Sequence, residues 1–400
     1  MVLSQRIAFR AANAAAARSV CSRPHVRCSR LTHSHSHSEQ STHTHTHTNT
    51  DADSHSHAHS HSHSQHHEGV PRPADRADPQ RIDGTSPLVE DSTSGLSLEK
   101  ARQYCTQLVA DGDQPSRMIT AFIPPSARDA HLALAALSIT LQRAVSPSIT
   151  ASAAVSRIRL QYWKDTVSKI LNGQAPPSEP VAILLSHVVA TSSTSLSKGF
   201  LRKLVDTRTS RLGDPPFPDI ASLAEFGEGA FATRLYLLGE AMPVDRSQIL
   251  PLEHVYSHIG RAAGVADVLS DLPTAIQTRG RVTLPIDVMV KYDLTEEDIL
   301  RRKDRTDAQL RHRLTDCVFE VATHANDQLI TARTMLAEIT QGKKLNDATF
   351  APMLTAVPTK AWLENLERFD FDIFNDRLTG MRWKWTLPWK LYRAYMKKVF

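Results

Sequence analysis

The chain has 400 residues, of which 41% are hydrophobic and 22% are charged, and its formal net charge is +5 at pH 7. Residues 1–30 carry six arginines and residues 381–400 carry six further cations, and neither segment contains an acid. Without these twelve charges the rest of the chain has a net charge of 5 minus 12, or −7. This distribution excludes a basic nucleic-acid-binding surface across the body of the protein.

The N-terminal residues 1–30 are rich in Arg, Ser and Ala, and they lack the continuous apolar stretch of a secretory signal. Leu3 and Ile7 would share one face of a helix, and Arg6 and Arg10 another. This composition is typical of a mitochondrial transit peptide. A basic tail without a targeting role is the alternative.

Residues 31–95 are predicted to be a disordered linker. Thirteen histidines alternate with Ser and Thr between His33 and His67, and the following residues are rich in Pro, Asp, Gly and Ser. Imidazoles in such a repeat can bind zinc or copper. However, the tract has no apolar residues to build a rigid site, so we expect a spacer with weak metal binding at most.

Apolar residues recur at helical spacing from about residue 96 onward, and alternating strand patterns are nearly absent. Ser97 is expected to cap the first helix, Ser126 with Asp129 the second, and Thr295 with Asp298 a short one. We therefore predict an all-α fold, a single helical domain at residues 96–380 with eight to ten helices. Apolar stripes are expected on the second and third helices and on the helix at 307–340: Leu134, Leu137, Leu141 and Val145; Val155, Ile158 and Tyr162; Leu314, Val318 and Val321.

The four cysteines show no CxxC or His/Cys ligand spacing. This usage is typical of a reducing compartment without disulfides. We expect Cys105 and Cys317 to be buried, unreactive thiols.

Three segments carry a family resemblance. The first is FIPP at 122–125 followed by RDAHLALAAL at 128–137, and the second is LAEFGEGAFATRLYLLG at 223–239. The third is IGRAAGVADVLSDLP at 259–273, closed by GRVTLP at 280–285. Their order and spacing resemble the squalene/phytoene synthase family. Residues 286–300 are more similar to its mitochondrial complex I assembly factor 6 branch than to the carotenoid enzymes.

The resemblance implies a helical fold in which active members condense two prenyl diphosphates. Those enzymes hold Mg²⁺ with two acidic motifs on facing helices, because the departing diphosphate needs neutralisation. The first motif should lie near Val145, Ser146, Ile149 and Thr150, yet no Asp or Glu occurs between Ala130 and Lys164. We therefore expect no catalytic residues, and no cofactor unless a degenerate Mg²⁺ site survives.

The second acidic motif is half present. Asp271 matches its first acid, but Ala275 stands where the second is expected. Asp267, one helical turn earlier, could form a shifted carboxylate pair. The candidate residual metal or phosphate site consists of Asp267, Asp271, Arg261, Arg279 and Arg281. Alternatively these acids lie on a helix surface, Pro273 ends the helix, and the arginines are ordinary ion-pair partners.

Residues 381–400 interleave aromatic rings with cations, a pattern typical of a membrane interface. The candidate interface residues are Trp383, Trp385, Trp389, Lys384, Lys390, Arg393, Lys397 and Lys398. A helix that packs on the protein's own body is the alternative.

Together these features predict a non-catalytic protein in complex I assembly, located peripherally on the matrix side of the mitochondrial inner membrane. Complex I subunits, other assembly factors and the membrane surface are the expected partners, and nucleic acid is not. A prenyltransferase with a degenerate Mg²⁺ site and an isoprenoid- or lipid-binding protein are the alternatives.

Overall fold

The structure is a computed structural model that describes residues 91–145, 153–192, 196–301, 308–379 and 382–400. The expected transit peptide at 1–30 and residues 31–90 of the expected linker lie outside these ranges. Within them the regular secondary structure is helical, apart from one isolated bridge between Phe217 and Pro285. The all-α prediction is confirmed.

Seventeen α-helices lie in the described ranges. In the first half of the chain they are α1 (Asp91–Gly112), α2 (Gln114–Ile119), α3 (Arg128–Val145), α4 (Ala153–Leu171), α5 (Pro180–Thr191), α6 (Lys198–Thr209), α7 (Ile220–Gly227) and α8 (Thr233–Glu240). The others are α9 (Arg246–Ile249), α10 (Glu253–Thr274), α11 (Ile286–Lys291), α12 (Glu296–Leu300), α13 (Ala308–Thr340), α14 (Asp347–Phe350), α15 (Ala356–Arg368), α16 (Asp376–Thr379) and α17 (Arg382–Lys397).

Helix α10 is the centre of the fold. It packs against α13 on one side, against α7 and α8 on another, and against α15. Its side chains Val255, Ile259 and Val265 are fully buried. A π-helical segment, Glu228–Ala232, joins α7 to α8, so these two form one continuous bent helix beside α10.

Two glycines on α10 allow this close packing. A Cβ atom on Gly264 would overlap with the backbone of Gly227, and one on Gly260 would overlap with the backbone of Ala232. The backbones are in direct contact at these two positions. The bent helix can therefore lie this close to α10 only because Gly260 and Gly264 have no side chains.

Several local expectations are wrong. Helix α1 begins at Asp91, before the expected domain start at 96, so Ser97 lies inside the helix rather than capping it. Asp129 does not form a cap with Ser126, because it binds Arg102 on α1 at 2.8 Å. Pro273 does not end α10, which continues as a π-helical turn to Arg279.

The apolar face of α4 is also not the one expected. Ile158 and Tyr162 are exposed, whereas Leu160, Trp163 and Val167 are buried. Other expectations are confirmed: the stripe on α3 is buried, Cys105 and Cys317 are buried free thiols, and Thr295 with Asp298 forms a capping box. No helix in the described ranges is long and apolar enough to cross a membrane.

We predict that Gly264→Ala lowers the free energy of unfolding by about 3 kcal/mol or more, because the added methyl group forces two backbones apart. Chemical denaturation monitored by circular dichroism measures this. Gly199→Ala is the matched control: it also lies in a helix, but a Cβ there would only approach the Ser197 hydroxyl oxygen, at an ordinary 3.8 Å, so stability should be unchanged or rise by up to about 1 kcal/mol. Equal stability of both variants would contradict the close approach.

Candidate functional site

A cavity of about 590 Å³ lies between α2, α3, α8, α10, α15 and α17. This volume is in the range of about 300–1,000 Å³ that holds small molecules in proteins. Its apolar wall includes Ile119, Ile139, Phe231, Trp362, Leu378 and Leu387.

One polar wall of the cavity is built around Asp113. Its carboxylate caps α2, accepting hydrogen bonds from the Ser116 backbone N–H at 2.9 Å and hydroxyl at 2.6 Å, and it pairs with Arg234 at 3.3 Å. Burial alone would raise the pKa of Asp113, but Arg234 and Ser116 outweigh burial and hold it below its usual value. Behind Ser116, burial lowers the pKa of His131 to about 4, so this histidine is neutral at pH 7. This wall is a satisfied structural network.

The same polar end of the cavity also contains Arg208 and Asp267. The Arg208 guanidinium lies 5.1 Å from the ring centre of Phe226 and 5.6 Å from that of Phe231, and burial lowers its pKa. Burial raises the pKa of the Asp267 carboxyl to about 6, although the attraction of Arg208 lowers it. Asp271, one turn further along α10, adds repulsion that raises it. Asp267 is therefore half protonated near pH 6 and mostly ionised at pH 7.

A small side cavity of about 40 Å³ opens next to this wall. Gln142, Arg208 and Asp267 line both cavities, and Thr283 and Asp271 line only the smaller one. The Thr283 hydroxyl is buried and has no hydrogen-bonding partner. Polar groups therefore converge where the two cavities meet.

Asp271 is held by an arginine. The guanidinium of Arg279, on the π-helical turn after α10, donates to Asp271 and also pairs with Asp214 at 3.2 Å. One cation thus lies between two carboxylates, at the position where the carboxylates of a metal site would need to face a metal ion.

The C-terminal helix α17 has two different faces. Leu387 and Leu391 are buried against α15 and the cavity, so the expectation of packing on the body holds for this face. On the outer face, Trp385 is 77% exposed and Trp389 is 62% exposed, and the ring of Trp389 stacks on Tyr392.

The cations of α17 divide in the same way. Lys390 pairs with Glu364 at 2.8 Å and Lys398 with Asp347 at 2.5 Å, whereas Arg393 and Lys397 are exposed. The side chains of Trp383 and Lys384 lie outside the described part of the chain. Two of the expected interface lysines are thus engaged by the body of the protein.

Comparison with known proteins identifies the family. The family profile described as squalene/phytoene synthase matches residues 109–398. The chain belongs to the squalene/phytoene synthase family. Relatives named NADH dehydrogenase (ubiquinone) complex I, assembly factor 6, are 30% identical in Bos taurus and in Homo sapiens, over 77% of this chain and 85% and 86% of theirs. The Drosophila melanogaster homologue is 31% identical over 70% of this chain and 79% of its own.

Solved structures of the squalene/phytoene synthase family share the fold. A dehydrosqualene synthase in complex with ligand superposes with a TM-score of 0.58, at 14% identity, covering 76% of this chain and 99% of its own. A squalene synthase from Alicyclobacillus acidocaldarius gives a TM-score of 0.54, also at 14% identity, covering 70% and 99%. These similarities establish the helical architecture.

The residues at this site do not fit the Mg²⁺ ions that active members of the squalene/phytoene synthase family use. Those ions require several oxygen donors, mostly carboxylates. The polar side chains that helix α3 contributes to the cavity are Ser138 and Gln142, neither of which is a carboxylate, and Asp271 is already bound by Arg279. Across the described residues, no three His, Cys, Asp or Glu side chains are grouped as metal ligands.

The structure brings together only part of the predicted site. Asp267, Asp271 and Arg279 lie near each other, at the polar end of the cavity. Arg261 instead donates to Glu228 at 2.8 Å, and Arg281 is exposed. For Arg261 and Arg279 the ion-pair alternative therefore describes the observed contacts. Of the first motif, Ser146, Ile149 and Thr150 lie outside the described residues.

Sequence reasoning missed four polar residues of the cavity: Asp113, Gln142, Arg208 and Arg234. Arg234 could have been identified from the sequence, because it lies inside the second family segment. Arg208 gave no signal, since a single arginine in an amphipathic helix is ordinarily exposed.

We predict that Asp267 makes stability depend on pH. Its raised folded-state pKa means that the folded state holds a proton that the unfolded state releases, so the free energy of unfolding should fall as pH rises from about 4 through 6. Asp267→Asn removes the titrating carboxyl group and with it this pH dependence. The variant's stability relative to the natural chain should therefore rise by about 2 kcal/mol between pH 4 and pH 7.5.

Urea unfolding of both proteins across this pH range provides the measurement. Asp206→Asn is the control, because Asp206 is an exposed partner of Lys164. A stability difference for Asp267→Asn that is flat with pH would show that the carboxyl is not desolvated.

Proposed function

We propose that this protein serves in the assembly of mitochondrial respiratory complex I and does not condense prenyl diphosphates. The observation that carries the proposal is the combination of relatives named complex I assembly factor 6 with a cavity whose second-motif acid is bound by arginine. Departure of a diphosphate needs metal ions to neutralise it. A guanidinium fixed between Asp271 and Asp214 prevents these two carboxylates from serving as metal ligands.

We propose that the body of the protein binds a partner protein and does not catalyse a reaction. In a fold whose cavity lacks the metal ligands, function has to reside in binding, and complex I subunits or other assembly factors are the proposed partners.

Deletion of the gene should lower the amount of assembled complex I on native gels, and the natural chain should restore it. Asp271→Asn should restore it equally, because no metal is held there. In parallel, the purified chain with labelled farnesyl diphosphate and Mg²⁺ should give no condensed product. Metal-dependent turnover that Asp271→Asn abolishes would overturn the non-catalytic part, and normal complex I in the deletion strain would overturn the assembly role.

Residues 1–30 are proposed to direct the protein into the mitochondrial matrix. Positive charge on a helix without acids is what drives import of such segments. Replacing Arg6, Arg10 and Arg18 with Glu should therefore leave the protein in the cytosol, as measured by fractionation. Glu substitutions at the exposed residues Lys100, Arg157 and Lys169 provide a control with the same charge change outside the segment. Unchanged mitochondrial location of the Arg6, Arg10 and Arg18 variant would refute the targeting role.

The outer face of α17 is proposed to attach the protein to the inner membrane. Trp385 and Trp389 suit the interface between lipid head groups and acyl chains, and Arg393 and Lys397 suit an anionic surface, each contributing on the order of 1 kcal/mol. Deleting residues 381–400 is a poor test, because it would remove the buried Leu387 and Leu391 from the core.

A double substitution, Trp385→Ser with Trp389→Ser, should instead move the protein from the membrane pellet to the supernatant without unfolding it. Ile158→Ser with Val290→Ser is the matched control, since these side chains are similarly exposed but lie on α4 and α11. A folded Trp385 and Trp389 variant that still pellets would mean that a partner protein provides the attachment.

A further inference from the structure

The polar end of the cavity contains a buried cation without a hydrogen-bonding partner. Arg208 is only 8% exposed, and its guanidinium makes no hydrogen bond or ion pair with the described residues. It contacts only the faces of Phe226 and Phe231, while it lines both cavities. A buried guanidinium has five N–H donors, and leaving them unsatisfied is costly. Because Arg208 lines both cavities, an anion bound there would satisfy these donors.

Charged side chains surround this end of the cavity. Four guanidinium groups lie there, those of Arg208, Arg211, Arg234 and Arg279. Arg234 and Arg279 are already paired with carboxylates, and Arg211 lies over the ring of Phe217 and donates to the Pro215 carbonyl oxygen. Among the described residues, Arg208 is therefore the member of this set that has no hydrogen-bonding partner. A single anionic group can pair with it without any metal ion.

The rest of the cavity is suited to an apolar chain. Apolar side chains on α3, α15 and α17 also line the cavity, namely Ile139, Trp362 and Leu387. Leu387 lies on the inner face of α17, whose outer face exposes Trp385 and Trp389. The apolar end of the cavity is thus separated from the proposed membrane face by one helix, and the occupant is expected to be a lipid rather than a water-soluble anion.

We propose that the cavity binds a long-chain carboxylate, with the carboxylate on Arg208 and Gln142 and the chain running towards Trp362 and Leu387. A carboxylate carries one negative charge, which matches the one guanidinium at this end that has no hydrogen-bonding partner among the described residues. A phosphate monoester carries about −1.5 to −2 at this pH, and a diphosphate depends on metal ions that the residues here do not hold. The proposal does not depend on the role in complex I assembly, because binding is measured on the purified chain.

Isothermal titration calorimetry of the 400-residue chain with oleate, below its micelle concentration and with EDTA present, tests this. One oleate should bind per chain with an affinity that added Mg²⁺ does not change, and oleyl alcohol, which has the same chain without the charge, should bind at least tenfold more weakly. Arg208→Gln should weaken oleate binding at least tenfold, or about 1.4 kcal/mol. Arg202→Gln, an exposed position on the same helix, should leave it unchanged.

A second variant tests the contribution of the cavity independently of the charge of Arg208. Ala263→Leu places a larger side chain in the cavity while Arg208 stays in place, and it should also reduce oleate binding at least tenfold. Thermal unfolding shows whether each variant is folded, and Arg208→Lys, which retains the charge, should recover part of the affinity if Arg208→Gln does not fold. Oleate binding that survives both Arg208→Gln and Ala263→Leu would overturn the proposal. Binding of farnesyl diphosphate with Mg²⁺ in preference to oleate would also overturn it.

Discussion

The contact between α10 and the bent helix formed by α7 and α8 governs the arrangement of the whole protein. Gly260 and Gly264 let two backbones touch, so α10 can lie close enough to α7 to be covered by α13 and α15 on its remaining sides. The same contact fixes the cavity, because Arg234 and Phe231 enter it from the bent helix while Ala263 and Asp267 enter it from α10. The close helix contact at Gly260 and Gly264 therefore determines how near Arg234 on α8 and Asp267 on α10 lie to each other in the cavity.

Those charges determine what the cavity can hold. A metal-dependent site needs carboxylates that are free to face an ion, and here the carboxylates are paired with arginines or desolvated. Asp113 is bound by Arg234, Asp271 by Arg279, and Asp267 is desolvated next to Arg208. The polar end of the cavity therefore presents fixed guanidinium groups rather than free carboxylates.

Sequence periodicity predicted the helices well because burial of one face repeats every three to four residues, as in Leu134, Leu137 and Leu141. It failed where a tertiary contact took priority over a local signal. Ile158 and Tyr162 form an apolar stripe as regular as the buried one, and nothing in α4 itself shows which face meets α6. Pro273 was expected to end α10, yet it lies inside the helix, which continues past it into a π-helical turn. At the site, the acids were found by motif, whereas the role of Arg208 depends on its burial by residues distant in sequence.

The two buried thiols have a practical consequence for observing this protein in motion. Cys105 is on α1 and Cys317 is on α13, and burial raises the pKa of each to about 12. A thiol reagent can react with either only when the helix that carries it detaches, because the reactive thiolate is absent in the closed state. Mass spectrometry can measure the labelling rates of the two sulfurs separately. These rates therefore report how often α1 and α13 open within the same molecule. The two cysteines thus act as internal probes of two different helices.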